Sequence, residues 1–215
     1  MTDAVAFMGG TFDPIHNGHL RTALEIRELL ALREVRLVPC HRPPHRETPG
    51  CSSQHRLRMV ELAVTDEPGL RVDGRELRSP EPSYTVATLK SLRAELGDER
   101  PLIMVLGMDS FLGLPTWHRW QELITLAHML VVQRPGWRFA DNEPMARWVR
   151  DYQVTRPEAL LEAPGGRVLI HGLTPLGISA TQVRERIAAG GSPRFLIPDA
   201  VWNYIREQGL YNVKF

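Results

Sequence analysis

Short apolar runs alternate along this chain with longer amphipathic runs, and this alternation constrains the fold more than any other feature. Each apolar run is bounded by turn residues and is rich in β-branched side chains, which is typical of buried strands. Amphipathic runs between such strands are typical of helices that cover a parallel sheet. We therefore predict a doubly wound α/β fold with a parallel sheet of five to six strands, joined by right-handed crossovers.

The predicted elements follow a Rossmann-like order. The predicted strands are residues 4–8, 35–39, 70–72, 102–106, 129–133 and 168–171. The predicted helices are residues 20–32, 54–65, 84–96, 120–126, 144–152, 179–189 and 198–208. The 215 residues suffice for one sizeable core, so we predict a single domain, 1–215, in which residues 178–215 form a small helical C-terminal subdomain.

Charge and hydrophobicity argue against several classes of partner. The chain has 26 basic and 25 acidic residues, a net charge of +1, which does not favour nucleic acid or an anionic membrane. The basic residues are nearly all arginine, whose planar fork suits phosphate and carboxylate, so we expect a small anionic substrate. No apolar stretch approaches the roughly 20 residues that span a bilayer, and no basic leader precedes Asp3, so we expect a cytoplasmic protein.

The chain has two cysteines, Cys40 and Cys51, too few for the disulfide framework of a small secreted protein. They lie close in sequence to three histidines: His41, His45 and His55. The spacing lacks a Cys-x-x-Cys or His-x-x-x-His knuckle together with its partner pair, and Pro43-Pro44 stiffens the chain between the candidates. We therefore expect free thiols, no structural metal, and a loop that faces a ligand.

Residues 9–19, Gly-Gly-Thr-Phe-Asp-Pro-Ile-His-Asn-Gly-His, follow the first predicted strand. Gly9 and Gly10 allow a tight turn that brings backbone N–H groups close to a ligand. If a helix begins near Gly18, His16 and His19 lie on one side of its first turn, beside the helix end that favours negative charge. The segment predicts a phosphate site, although turn glycines and helix-capping histidines are the simpler explanation of each part.

A second candidate motif, Ile178-Ser179-Ala180-Thr181-Gln182-Val183-Arg184, follows the last predicted strand. Ser179 and Gln182 have the spacing of a capping box, so a capped helix is one interpretation. The other is that Ser179, Thr181, the first-turn N–H groups and Arg184 cradle the β- and γ-phosphates of a triphosphate. No Walker A or kinase-type glycine loop appears, which argues against γ-phosphoryl transfer by those routes.

Two further segments carry candidate ligand contacts. Gly107 and Asp109 follow the strand at 102–106, so Asp109 would lie at the same sheet edge as His16, where it holds ribose hydroxyls, caps a helix, or does both. Trp117 follows Pro115 and precedes His118, and we predict that it offers a flat face to a cationic pyridinium ring. Trp120 is expected to pack inward.

These motifs resemble the His-x-Gly-His and Ile-Ser-x-Thr-x-x-Arg signatures of a nucleotidyltransferase superfamily. Over nearly the whole chain the sequence is similar to bacterial nicotinate mononucleotide adenylyltransferases, through residues 9–19, Pro43-Pro44-His45-Arg46, Ser83-Tyr84-Thr85, Gly107-Met108-Asp109 and Trp117. The resemblance implies that ATP and nicotinate mononucleotide react to deamido-NAD and pyrophosphate. The family commonly has lysine where this chain has Arg46, which keeps the charge and changes its shape.

The resemblance also implies roles for individual residues. His16, His19 and Arg184 would be catalytic. The ATP side would comprise Gly9, Gly10, Thr11, Phe12, His16, His19, Gly107, Asp109, Ile178, Ser179, Thr181 and Arg184. The mononucleotide side would comprise His45, Arg46, Tyr84, Thr85, Trp117 and His118. Mg²⁺ is expected with ATP, held mainly by the phosphates and not by a protein metal site.

Alternative functions remain open at this point. The same chemistry on nicotinamide mononucleotide or phosphopantetheine is the nearest, and the preference for the nicotinate substrate rests on the resemblance. A nucleotide-binding sensor without turnover belongs to a different class. A role in charging tRNA is disfavoured because the chain lacks a Lys-Met-Ser-Lys-Ser string and net basicity. The oligomeric state is left open.

Overall fold

The computed structural model describes residues 1–42, 49–133, 145–174 and 176–213. Within these residues seven strands form one parallel sheet: β1 (Val5–Gly10), β2 (Val35–Pro39), β3 (Leu70–Val72), β4 (Leu102–Gly107), β5 (His128–Gln133), β6 (Gln153–Val154) and β7 (Val168–Gly172). The strand order is β3-β2-β1-β4-β5-β7-β6. The predicted parallel α/β fold is confirmed, and the count of five to six strands is wrong. The prediction missed β6, because a two-residue edge strand has no apolar run to mark it.

The two strands that lead into the predicted motifs are longer than their apolar runs. Gly9 and Gly10 pair with Val38 and Pro39 of β2, and Gly107 pairs with Val132 of β5. A parallel ladder is built from backbone groups, so it continues through residues that have no apolar side chain. The turn after β1 therefore begins at Thr11.

Eight helices accompany the sheet in the described part of the chain. They are α1 (Asn17–Leu29), α2 (Ser53–Val64), α3 (Thr85–Leu96), α4 (Met108–Leu112), α5 (Trp120–Leu126), α6 (Ala146–Tyr152), α7 (Ala180–Ala188) and α8 (Asp199–Glu207). Helix α1 begins three residues before its predicted start, because its first turn is polar and lies outside the amphipathic pattern. The five-residue helix α4 is too short to show a period and was not predicted. Pro144, the predicted start of α6, lies outside the described residues.

Two apolar clusters cover the two faces of the sheet, since successive side chains of a strand point to opposite faces. The first cluster takes Ala6 and Met8 from β1 and includes residues of α1, α2, α7 and α8. The second takes Val5 and Phe7 from β1 and includes residues of α3, α4, α5 and α6. Both C-terminal helices thus pack on the same face as α1. Among the described helices, none is both long and apolar enough to cross a membrane.

The strand order reverses direction between β1 and β4, which are neighbours in the middle of the sheet. In an open parallel sheet, this reversal leaves a crevice outside the carboxyl ends of the strands on either side of it. The end of β1 leads into residues 11–16 and the end of β4 leads into α4. The fold therefore brings two of the sequence-predicted motifs to one crevice.

Candidate active site

The two histidines of the first motif lie together at the start of α1. His16 is the N-cap residue, with extended backbone, and its N–H donates to Nδ1 of His19 at 3.3 Å. The two imidazole rings stack with centroids 3.6 Å apart and an interplanar angle of 23°. His16 is only 3% exposed. The helix begins one residue before Gly18, and both rings lie at the helix end that favours an anion.

The loop between β1 and α1 turns sharply at Phe12, whose φ of 48° lies in the left-handed region. The Phe12 side chain is buried and meets the His19 ring edge-on, with centroids 5.1 Å apart. A Cβ at Gly10 would lie 3.0 Å from the Phe12 ring, so a side chain there would displace it. Gly10 thus makes room for the ring that supports His19.

A buried arginine on α2 holds the same loop and was missed by the sequence analysis. Arg56 is 1% exposed and donates through Nη1 to the carbonyl of Thr11 at 2.5 Å and through Nη2 to the carbonyl of His41 at 3.4 Å. It lies in the buried stripe of α2, three residues before Met59. A charged residue at a core position of an amphipathic helix is the signal that would have identified it.

The second motif lies at the start of α7, next to the loop after β1. Ser179 caps α7 by accepting a hydrogen bond from the N–H of Gln182 at 3.1 Å, as the capping-box spacing predicts. Arg184 donates through Nη1 to the carbonyl of Asp13 at 2.7 Å and through Nη2 to Oγ1 of Thr181 at 3.3 Å. Ile178 is half-buried and packs against the first apolar cluster. The two predicted phosphate motifs therefore meet through Arg184, although they are far apart in the sequence.

Asp13 is the second residue that the sequence analysis missed. It is 5% exposed, and its carboxylate accepts hydrogen bonds from the N–H of Gly50 and the hydroxyl of Tyr211, both at 2.8 Å. The thiol of Cys51 is 3.5 Å from the same carboxylate. These partners lie at least 37 residues away along the chain, so no local spacing reveals them.

The end of β4 supplies the next part of the crevice. Gly107 is the N-cap residue of α4 and Asp109 is an exposed residue in its first turn, so of the alternatives left open for Asp109 the helix cap does not apply. A Cβ at Gly107 would lie 2.6 Å from Oδ1 of Asp109, so a side chain at position 107 would make this exposed carboxylate shift. The Asp109 carboxylate is thus kept close to the end of β4.

Three of the residues predicted for the mononucleotide side lie at or next to the start of α3, namely Tyr84, Thr85 and His118. Tyr84 is the N-cap residue of α3, and its ring lies 4.5 Å from that of His118 at an angle of 37°. Thr85 is the first residue of the helix. Trp117 is half-buried and packs, like Tyr84, against the second apolar cluster. His45 and Arg46 lie outside the described residues.

Trp120 is partly buried and packs against the second apolar cluster, with its ring edge-on to Trp148 at 5.4 Å.

Cys40 and Cys51 are free thiols, and burial raises the pKa of each to about 11, so both are protonated at neutral pH. Among the described residues, no group of three or more His, Cys, Asp or Glu side chains is arranged to hold a metal ion.

Comparison with known proteins identifies the family. The cytidylyltransferase-like family model matches residues 7–186. The chain is 50% identical to a "probable nicotinate-nucleotide adenylyltransferase" of Hahella chejuensis, over 96% of this chain and 95% of the relative, and 50% identical to one of Pseudomonas fluorescens, over 98% of each. Its fold is similar to that of the Plasmodium falciparum nicotinic acid mononucleotide adenylyltransferase complexed with NaAD, with a TM-score of 0.74 and 17% identity over 99% of this chain and 98% of that one. This chain therefore belongs to the cytidylyltransferase-like family and, within it, to the nicotinate-nucleotide adenylyltransferases.

Proposed function

We propose that this enzyme transfers the adenylyl group of ATP to nicotinate mononucleotide, which gives deamido-NAD and pyrophosphate in NAD biosynthesis. The observation that carries the proposal is the convergence of His16, His19 and Arg184 where the starts of α1 and α7 meet the loop after β1. Relatives with half of their residues identical over nearly the full chain bear the name of this activity.

The reaction is a direct in-line displacement. A 5′-phosphate oxygen of the mononucleotide attacks the α-phosphorus of ATP, and the bond from this phosphorus to the pyrophosphate oxygen breaks. No side chain forms a covalent bond in this route. The protein must instead hold two polyanions in line and stabilise the charge that builds on the α-phosphate and on the leaving group. His16 and His19 suit the α-phosphate, and Arg184 suits the pyrophosphate.

The ATP side would use backbone as much as side chains. Gly9, Gly10, Thr11 and Phe12 bring their backbone to the crevice, and Gly107 and Asp109 would hold the nucleoside. Ile178 and Ser179 lead into α7, and Thr181 lies in its first turn, where the N–H groups have no acceptor within the helix. The Ser179 hydroxyl accepts from Gln182, and its own proton remains available to a phosphate. ATP enters as its magnesium complex, with the ion on the phosphates.

The mononucleotide side would lie at the start of α3. The first N–H groups of this helix, from Thr85 onward, suit a carboxylate, which favours the nicotinate substrate over its amide. The rings of Tyr84 and His118 lie close together, and Trp117 would stack on the pyridinium. His45 and Arg46 are assigned to this side from the sequence.

The proposed activity also has consequences for the domain organisation, the partners and the cellular location of the enzyme. We infer one domain, 1–215, in which the C-terminal helical subdomain, 178–215, supplies Arg184 to the site. The partners are small nucleotides and not nucleic acid or a membrane. Charged nucleotides do not cross membranes unaided, which supports a cytoplasmic location.

The test is pyrophosphate release from ATP with each of three acceptors: nicotinate mononucleotide, nicotinamide mononucleotide and phosphopantetheine. We expect the fastest release with nicotinate mononucleotide, and a product with the mass of deamido-NAD. Faster release with another acceptor would assign the enzyme to that acceptor. ATP binding without release with any of them would identify a nucleotide sensor.

A further inference from the structure

We propose that Asp13 and Tyr211 are positioning residues that keep the guanidinium of Arg184 available to ATP. The proposal rests on the function proposed above. Tyr211 lies in a 3₁₀ turn (Leu210–Asn212) after α8 and reaches back to the loop after β1. The same loop is the one that Arg184 contacts.

The carboxylate oxygens of Asp13 and its backbone carbonyl oxygen accept their short hydrogen bonds from different residues. Tyr211 donates to Oδ1 and the N–H of Gly50 donates to Oδ2, both at 2.8 Å. Arg184 instead donates to the backbone carbonyl of Asp13 at 2.7 Å, and its Nη1 stays 3.6 Å from Oδ2. The arginine is therefore anchored on a peptide oxygen, and its ion pair with the carboxylate stays long, at 3.6 Å, while other donors make the short hydrogen bonds to both carboxylate oxygens.

This division matters because a carboxylate and a guanidinium tend to form a bidentate pair when they are adjacent. Such a pair would direct two donors of Arg184 toward Asp13 and would partly neutralise its charge. The hydroxyl of Tyr211 and the amide of Gly50 bond to the two carboxylate oxygens, so the contact with Arg184 stays at 3.6 Å and does not become a close bidentate pair. The Arg184 side chain is 33% exposed, so it remains accessible to a ligand in the crevice.

The backbone of Tyr211 gives independent support. Its φ of 58° and ψ of 32° lie in the left-handed region, which is unfavourable for a bulky side chain. The side chain is nevertheless buried, and it contacts both Asp13 and Cys51. Burial raises the pKa of the phenol, so its oxygen remains a proton donor at neutral pH. The unfavourable turn thus directs one hydroxyl group to the carboxylate.

The test compares two tyrosine variants that each lose one hydroxyl. Tyr211→Phe is expected to raise KM for ATP about fivefold to tenfold, the effect of losing one hydrogen bond, and to leave KM for nicotinate mononucleotide unchanged. Tyr204→Phe is the control, because the Tyr204 hydroxyl lies on α8 and bonds to Nδ1 of His55 at 2.8 Å. The control should leave both KM values unchanged. If Tyr211 only stabilised the fold, Tyr211→Phe would not raise KM for ATP while leaving KM for nicotinate mononucleotide unchanged.

Unchanged KM for ATP in Tyr211→Phe, or an equal change in the control, would overturn the proposal. If Tyr211→Phe does not fold, Gly50→Ala takes its place. The added Cβ would lie 3.1 Å from the Tyr211 ring and would push it, while its distance of 3.4 Å to Cδ of Arg184 is an ordinary contact, and an unchanged KM for ATP would again overturn the proposal. If the wild type releases no pyrophosphate, the proposed function fails. The affinity of each variant for a non-hydrolysable ATP analogue then tests the present inference separately.

Discussion

Replacing Gly18 with alanine tests the position of His16 without removing its imidazole. Gly18 is the second residue of α1, and an added Cβ would lie 3.0 Å from Nδ1 of His16 and 3.2 Å from its Cε1. Non-bonded carbon and nitrogen atoms are ordinarily about 3.4 Å or more apart. The imidazole must therefore move by roughly 0.4 Å to relieve the contact.

This displacement sets the expected loss of activity. If a misplacement of about 1 Å costs about 100-fold in rate and the effect is exponential in distance, roughly 0.4 Å costs about sixfold in kcat. The effect on stability has the opposite sign, because alanine is favoured over glycine within a helix by about 0.5–1 kcal/mol. The shift of His16 offsets part of that gain. The free energy of unfolding should thus stay constant or rise by at most about 1 kcal/mol.

The assay is kcat from pyrophosphate release, measured beside urea unfolding of the same variant. Gly74→Ala is a control for the kcat measurement, because its Cβ would make only ordinary contacts, at 3.5 Å from Arg78 and 3.6 Å from Leu57, and because Gly74 lies outside the helices. A wild-type kcat in Gly18→Ala would refute the claim that the position of His16 limits the reaction. A large loss of stability would refute the reasoning on helix propensity.

Three further predictions concern the site and the core. His16→Ala should lower kcat about 100-fold to 1,000-fold with little change in KM, as expected for a preorganised donor, and a kcat near wild type would remove His16 from the chemistry. Trp117→Ala should raise KM for nicotinate mononucleotide more than KM for ATP in steady-state assays, because stacking contributes to binding one substrate; equal increases would contradict this role. His128 is fully buried and donates through Nε2 to the carbonyl of Ala163 at 2.7 Å, and burial lowers its pKa below 6.5. The unfolded chain then binds a proton more readily than the folded chain, so the contribution of His128 to the free energy of unfolding is full above pH 6.5 and falls as the pH drops toward the pKa of the folded state. Over that pH range, the urea midpoint of the wild type should fall more than that of His128→Gln.

Local patterns were enough for most of the fold. The bounds of β2, β3 and α5 agree with the predicted ranges, because apolar run, period and flanking turn residues coincide there. The elements without such a pattern were missed or shifted. The start of α1 is polar, α4 has five residues, and β6 has two. Their position depends on capping and pairing with distant segments, which period alone does not encode.

The sequence by itself determined the parts of the site that act within one or two helical turns. The three-residue spacing of His16 and His19 puts both imidazoles at one helix end, and the spacing of Ser179 and Gln182 forms a cap. Only the tertiary structure decided which groups hold these motifs in register. Arg56 reaches Thr11, and Asp13 joins Arg184 to Tyr211, across long separations in the chain. A hydrogen bond requires a donor–acceptor distance of about 3 Å, correct to within a few tenths of an ångström. For residues distant in the chain, that distance is fixed by the packing of the whole sheet and its helices.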